Sequence, residues 1–172
     1  VVDEAYYEFC GQTVARWVPQ HDNLVVLRTF SKWAGLAGLR VGYGLMTPEL
    51  AQHVLTIKPP YNVNMAAEVA AHESLADREY LLGTVRAIVR ERERLFEGLV
   101  GIPYLKPRPS QANFILCAVT PGDARALHQA LRRRGIFVRY FDSPRLRDTV
   151  RITVGKPEHT DAVLRALQEI KL

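Results

Sequence analysis

Lys32 lies at the end of Arg28-Thr29-Phe30-Ser31-Lys32, where polar side chains crowd together after the apolar run Asn23-Leu24-Val25-Val26-Leu27. That run is β-branched enough to form a strand, and the ends of strands in α/β sheets are where ligands bind. A partly desolvated lysine there is easily deprotonated, and its free amine can form a Schiff base with an aldehyde cofactor. The hydroxyls of Thr29 and Ser31, with the guanidinium of Arg40, could hold a phosphate dianion by charge-assisted hydrogen bonds. Asp3, at the tip of Val1-Val2-Asp3, offers a carboxylate that would keep a pyridine nitrogen protonated, which makes its ring an electron sink. Tyr6 could reach the same place from the next turn. Taken singly, each has a plainer account: Asp3 as a strand-end cap, Tyr6 as a core aromatic, Arg40 as a surface cation. Their joint arrangement argues for one site.

The elements that must position these residues are an alternation of strands and helices. Val1–Asp3, Asn23–Leu27 and Arg40–Met46 read as strands, the last with Gly42 and Gly44 allowing close backbone packing. Pro48 after Thr47 starts a helix to about Ile57, which Pro59-Pro60 stops. Tyr61-Asn62-Val63-Asn64 forms a loop, and a small-residue helix begins near Met65. The longest helix is expected from about Asp77 to Leu99, where Leu81, Leu82, Val85, Ile88, Val89, Leu95, Phe96 and Leu99 recur at helical spacing. Its Arg/Glu-rich face reads as solvated. After Gly101 the pattern becomes strand–helix–strand: Phe114–Val119 as a buried strand, Gly122–Arg134 as a helix closed by Gly135, then Ile136–Tyr140 and Val150–Val154 as strands and Pro157–Ile170 as the last helix.

The 172 residues are 48% hydrophobic and 24% charged, an ordinary globular composition. Nothing approaches the apolar length of a membrane span. The first residues carry neither an initiator Met nor a secretory profile, and an apolar pair opening the chain reads as a strand entered midway through a longer polypeptide. Cys10 and Cys117 lack ligand spacing for a metal. They are expected as buried free thiols rather than a disulfide, which makes the cytoplasm the default location. The net charge of +5 is largely arginine, clustered at Arg132–Arg134, Arg139, Arg145, Arg147 and Arg151. Without interleaved aromatics, that cluster fits small acidic substrates better than nucleic acid.

The stretch from Thr29 through Ser31-Lys32 and Gly38-Leu39-Arg40 to Tyr43 closely resembles the lysine signature of fold-type I aminotransferases, which use pyridoxal 5'-phosphate (PLP). Asp3-Glu4-Ala5-Tyr6 resembles the Asp-x-x-Tyr motif that precedes it. The resemblance implies that Lys32 carries the cofactor and shuttles a proton, that Asp3 pairs with the ring nitrogen, and that Tyr6 bonds its phenolic oxygen. Ser31 and Arg40 would serve the phosphate. It also implies an α/β fold: residues 1–60 as the end of the large PLP-dependent transferase domain, 61–77 as a connecting segment, and 78–172 as a small α+β C-terminal domain.

Within that superfamily the second half is most similar to the histidinol-phosphate aminotransferases, through Pro60–Asn64, Ser110–Phe114, Gly135–Arg139 and Leu146–Gly155. By that resemblance Arg151 holds the substrate's anionic group and Arg139 helps hold its phosphate; Asn113, next in sequence to the Phe114 strand, could orient either a substrate or the backbone near Arg151. Family members are homodimers, so Tyr61 and Asn64 would face the neighbour's site. The implied substrates are histidinol phosphate and the glutamate/2-oxoglutarate pair of histidine biosynthesis. An N-terminal arm, a phosphate-binding small-residue loop, a ring-stacking residue and an Asn at the phenolic oxygen, all part of the family pattern, have no counterpart in this sequence. An aromatic aminotransferase, a threonine-phosphate-type decarboxylase and a PLP-sensing regulatory domain stay open as alternatives.

Overall fold

The structure, a computed structural model, describes residues 1–171. The chain forms two compact units, Val1–Val85 and Arg86–Leu172.

In the first unit, β1 (Val2–Asp3) pairs in parallel with β2 (Val26–Thr29), and β2 pairs antiparallel with β3 (Gly42–Leu45). The register sets Asp3 opposite Leu27 and Thr29 opposite Gly42. Parallel neighbours end on the same side of a sheet, so Asp3 and the chain leaving Thr29 emerge at one edge. Gly42 is needed at that register, because a Cβ there would stand 2.6 Å from the Arg28 carbonyl oxygen. Between β1 and β2 run the short helix α1 (Tyr7–Cys10), which Gly11 ends at φ 70°, and a 3-10 segment at Ala15–Gln20. Phe9, Val18, Val26, Phe30, Trp33 and Val41 are the buried apolar residues of this small sheet.

Helix α2 (Pro48–Ile57) begins where the proline was expected to start it, with Thr47 Oγ1 accepting from Leu50 N at 3.4 Å. It buries none of its residues, and Val54, Leu55 and Ile57 are exposed. Asn64 caps α3 (Met65–Ala76), and α4 (Arg78–Val100) runs from the first unit into the second.

The second unit is an antiparallel sheet in the order β4 (Leu105–Pro107), β5 (Phe114–Val119), β7 (Thr149–Thr153), β6 (Arg139–Tyr140). Ile115, Cys117 and Val119 alternate along β5 into the core, as period-two geometry requires. They meet Leu95 and Leu99 of α4, Leu127 and Leu131 of α5 (Ala124–Arg133), Val150 and Ile152 of β7, and Leu167 of α6 (Pro157–Glu169). Each such fully buried leucine stabilises the unit by roughly 1.5–3 kcal/mol. No helix among the described residues is long and apolar enough to cross a membrane.

The sequence pattern misplaces some ends. The strand expected at Asn23–Leu27 runs from Val26 to Thr29, because β3 continues the ladder into the polar residues. Arg40 is not in a strand: it ends a 3-10 turn (Ala37–Leu39) at φ 56°, in the left-handed region, and β3 starts two residues later. Of Ile136–Tyr140 only the last two residues pair. Both cysteines are free, but only Cys117 is buried; Cys10 is half-buried at the end of α1, with Gln12 N donating to its Sγ.

Candidate active site

The end of β2 turns sharply, and buried aromatics fix that turn. Phe30 and Trp33 are buried on either side of Ser31-Lys32, with ring centroids 5.5 Å apart, and Phe30 also packs on Tyr43 at 5.7 Å. Phe30 N donates to Val41 O at 3.2 Å and Leu36 N donates back to Phe30 O at 3.1 Å. The lysine between the two anchors is thereby pushed outward, and its side chain is exposed. Thr29 Oγ1 accepts from Ser31 N at 3.0 Å and lies 2.9 Å from Ser31 Oγ, so both hydroxyls face one place.

Asp3, Ala5, Thr29, Ser31, Lys32 and Arg40 line a single cavity of about 330 Å³. Tyr6 sits beside it, with Lys32 Nζ 5.8 Å from its ring centroid. Asp3 Oδ1 accepts from Ala5 N at 2.9 Å, which orients the carboxylate at the strand tip. Arg40 Nη1 donates to Ala37 O at 3.0 Å; its left-handed backbone turns the side chain at this point. A carboxylate, an amine, two hydroxyls and a guanidinium around one cavity are the donor set that a phosphorylated pyridine aldehyde requires, so the residues present fit PLP. A larger cavity of about 600 Å³ in the second unit, beside Ile136, Phe137, Val154 and His159, is bordered by Arg134, Thr153 and Thr160 but by neither a lysine nor a carboxylate. Chemistry, not size, selects the smaller one.

The second unit supplies a separate feature. Arg139 and Arg151 are direct partners across β6 and β7. The Arg151 guanidinium lies 4.9 Å from the centroid of Phe114 and 5.8 Å from that of Phe141, and Arg139 lies 5.3 Å from Phe141. Arg151 Nε is buried and has no hydrogen-bond partner among the described residues. Two like charges held opposite each other, one with an unsatisfied donor, make a place for an anion. Asn113 adjoins it through its carbonyl, which accepts from Val154 N at 2.9 Å. Of the other expected substrate residues, Tyr61 is 94% exposed, and Asn64 uses its Oδ1 to cap α3 at Ala67 N, 2.9 Å away. Neither lines the cavity around Lys32.

The sequence pattern missed Glu4 and Arg28. They form a salt bridge of 3.0 Å, and both side chains are largely buried. Burial alone would raise the Glu4 carboxyl, but bonds from Val14 N, Thr13 and Arg28 outweigh it and hold it below its ordinary value. Arg28 is raised despite its own burial, through Tyr43 and Glu4. The one signal was a second carboxylate directly after Asp3.

Residues 1–167 match the aminotransferase class I and II family. The chain belongs to that family. Among curated members, the histidinol-phosphate aminotransferase of Dehalococcoides mccartyi (strain ATCC BAA-2266 / KCTC 15142 / 195) is 55% identical over 170 residues, covering 99% of this chain and 48% of that protein. The chain thus spans about half the length of the curated relatives it matches. Among solved structures, histidinol-phosphate aminotransferase from Sinorhizobium meliloti in complex with pyridoxal-5'-phosphate aligns at TM-score 0.84 and 32% identity, over 97% of this chain and 47% of that one. The L-threonine-O-3-phosphate decarboxylase of Porphyromonas gingivalis aligns at TM-score 0.85 and 25% identity, over 96% and 53%. The α/β fold is therefore part of the aminotransferase fold.

Proposed function

We propose that this chain is the lysine-bearing part of a PLP-dependent transaminase that converts histidinol phosphate and 2-oxoglutarate to imidazole acetol phosphate and glutamate, in histidine biosynthesis. The observation that carries the proposal is the grouping of Asp3, Thr29, Ser31, Lys32 and Arg40 around one cavity in a member of the aminotransferase family. Pyridoxal phosphate, when bound, supplies an aldehyde that condenses with an amine and a ring that accepts the electron pair released at the substrate Cα. Lys32 would hold that aldehyde, and its freed Nζ would take the proton from the substrate Cα and later give it back. Asp3 would keep the ring nitrogen protonated, Tyr6 would donate to the phenolic oxygen, and Thr29, Ser31 and Arg40 would bind the phosphate.

Arg151 and Arg139 bind the anions of the two substrates in turn, with Asn113 orienting the substrate beside them. Planar cations suit this double duty, because each can grip a carboxylate or a phosphate through two N–H groups. A homodimer, with Tyr61 and Asn64 turned toward the partner's site, a cytoplasmic location, and division into 1–60, 61–77 and 78–172 complete the proposal. The exposed Val54, Leu55, Ile57, Tyr61 and Met65 supply the apolar surface that an interface between copies would cover.

Borohydride reduction of the PLP-loaded protein followed by peptide mapping tests the assignment: the adduct is expected on Lys32, and a stable adduct on another lysine refutes it. Assays with histidinol phosphate, phenylalanine and O-phosphothreonine test the substrate. The similarity to the decarboxylase supports one second reading, which carbon dioxide release from O-phosphothreonine would establish in place of the first.

A further inference from the structure

Directly after Asp3 comes a second carboxylate, buried and bound on both of its oxygens. Glu4 is 8% exposed and does not line the cavity around Lys32. Its Oε1 accepts from Val14 N at 2.7 Å, and its Oε2 accepts from Thr13 Oγ1 at 2.8 Å and from Arg28 Nη2 and Nε at 3.0 and 3.1 Å. Arg28 Nη2 also donates to Thr13 Oγ1 at 2.9 Å, and the guanidinium lies 3.6 Å from the Tyr7 ring centroid. Its interaction with Tyr43 extends the network to β3. One ion pair therefore ties together the end of β1, helix α1, the loop that follows it, β2 and β3.

A buried ion pair is a poor source of stability, because desolvating two charges offsets most of their attraction. Its distinctive property is geometry: the fork of an arginine on a carboxylate tolerates one arrangement. Glu4 is covalently joined to Asp3 and Arg28 to Thr29, and the backbone reinforces the link through Glu4 N donating to Leu27 O at 2.8 Å. A slip of β1 against β2 would carry Asp3 away from the Thr29–Lys32 turn, and it would have to break this fork first.

We propose that Glu4 and Arg28 are positioning residues, which fix the carboxylate of Asp3 relative to Lys32 and the Thr29 and Ser31 hydroxyls so that one cofactor meets all of them. The inference rests on the PLP reading above. Arg28 borders the cavity, but Glu4, Thr13 and the Tyr7 ring engage its guanidinium.

The test uses the intact protein and Glu4→Gln, Arg28→Gln, Arg28→Lys and Thr13→Val. PLP dissociation constants are measured well below the melting temperature of each variant, together with kcat and the melting temperature of the cofactor-free protein. Glu4→Gln and Arg28→Gln are expected to weaken PLP binding about tenfold or more and to lower kcat about ten- to a hundredfold. Arg28→Lys keeps the charge without the fork, so it should recover melting temperature but not PLP affinity. Thr13→Val, which removes the hydroxyl that touches both partners, should weaken binding about threefold or more. It decides the matter if the other variants do not fold. Wild-type PLP affinity and kcat in variants that merely melt earlier would overturn the inference, leaving the pair a structural link. A wild type that takes no PLP on Lys32 overturns the parent reading instead, and this inference with it.

Discussion

Replacing Arg139 by glutamine should have effects of opposite sign on stability and on catalysis. Arg139 and Arg151 stand directly opposite each other on β6 and β7, where side chains are nearest neighbours. Like charges so placed destabilise a sheet by about 0.2–1 kcal/mol, and Phe141, 5.3 and 5.8 Å from the two guanidinium carbons, offsets only part of that. Without substrate, Arg139→Gln should therefore raise the melting temperature by about 1–5 °C. On the proposed function, catalysis should fall. Arg139 is exposed, so its contact with a single carboxylate is worth at most about 1 kcal/mol, roughly fivefold in kcat/KM for glutamate. The phosphate of histidinol phosphate carries more charge and more acceptor oxygens, so that substrate should suffer more. Arg151 is half-buried between two rings with its Nε unsatisfied, and a lost charge-assisted contact there costs about 1.5–3 kcal/mol, ten- to a hundredfold, for both substrates. Thermal melts of the substrate-free protein and initial rates with each substrate measure all of these. An Arg139→Gln variant that melts earlier and keeps its rate with histidinol phosphate refutes the reasoning.

The Glu4 carboxyl lies below its ordinary 4.5, so its contribution to stability is complete above about that pH and is lost as pH falls through the depressed value. Acid melts should show this loss in the wild type, and Glu4→Gln should remove that part of the pH dependence. The Cys117 thiol, pushed up to about 12 by burial, should resist a thiol reagent in the folded protein while half-buried Cys10 reacts. Both should titrate in denaturant, and two reactive thiols under native conditions would contradict the packing. Gly42→Ala drives a Cβ to 2.6 Å from a backbone oxygen, so the strand must shift; the expected cost is about 1–3 kcal/mol in denaturant unfolding, with weaker PLP binding because Thr29 moves too.

Helix limits were legible because their signals are local. Thr47-Pro48 and Asn64 begin α2 and α3, and Gly135 at φ 77° closes the turn after α5. Strand limits were less so, since pairing depends on residues far away in sequence: Leu24 and Val25 look like strand yet precede β2, and β4 is a three-residue strand containing a proline, with no apolar run to announce it. The grouping of Asp3, Thr29, Ser31, Lys32 and Arg40 was anticipated from strand-end chemistry and family likeness together. The Glu4–Arg28 pair was not, because an ion pair 24 residues apart leaves no periodicity. Nor does the sequence reveal that Phe141 lies within reach of both arginines, which the β6–β7 register brings together.

The left-handed backbone at Arg40 has a consequence for anyone evolving this protein in the laboratory. A residue with a Cβ sits there at a cost of about 1–2 kcal/mol, whereas glycine adopts the same angles freely. A library screened only for heat resistance should therefore enrich Arg40→Gly, and the winners would fold better while having surrendered the cation that the proposed function assigns to the cofactor phosphate. On the proposed function, selection that demands growth without added histidine would run the other way and keep the strained arginine.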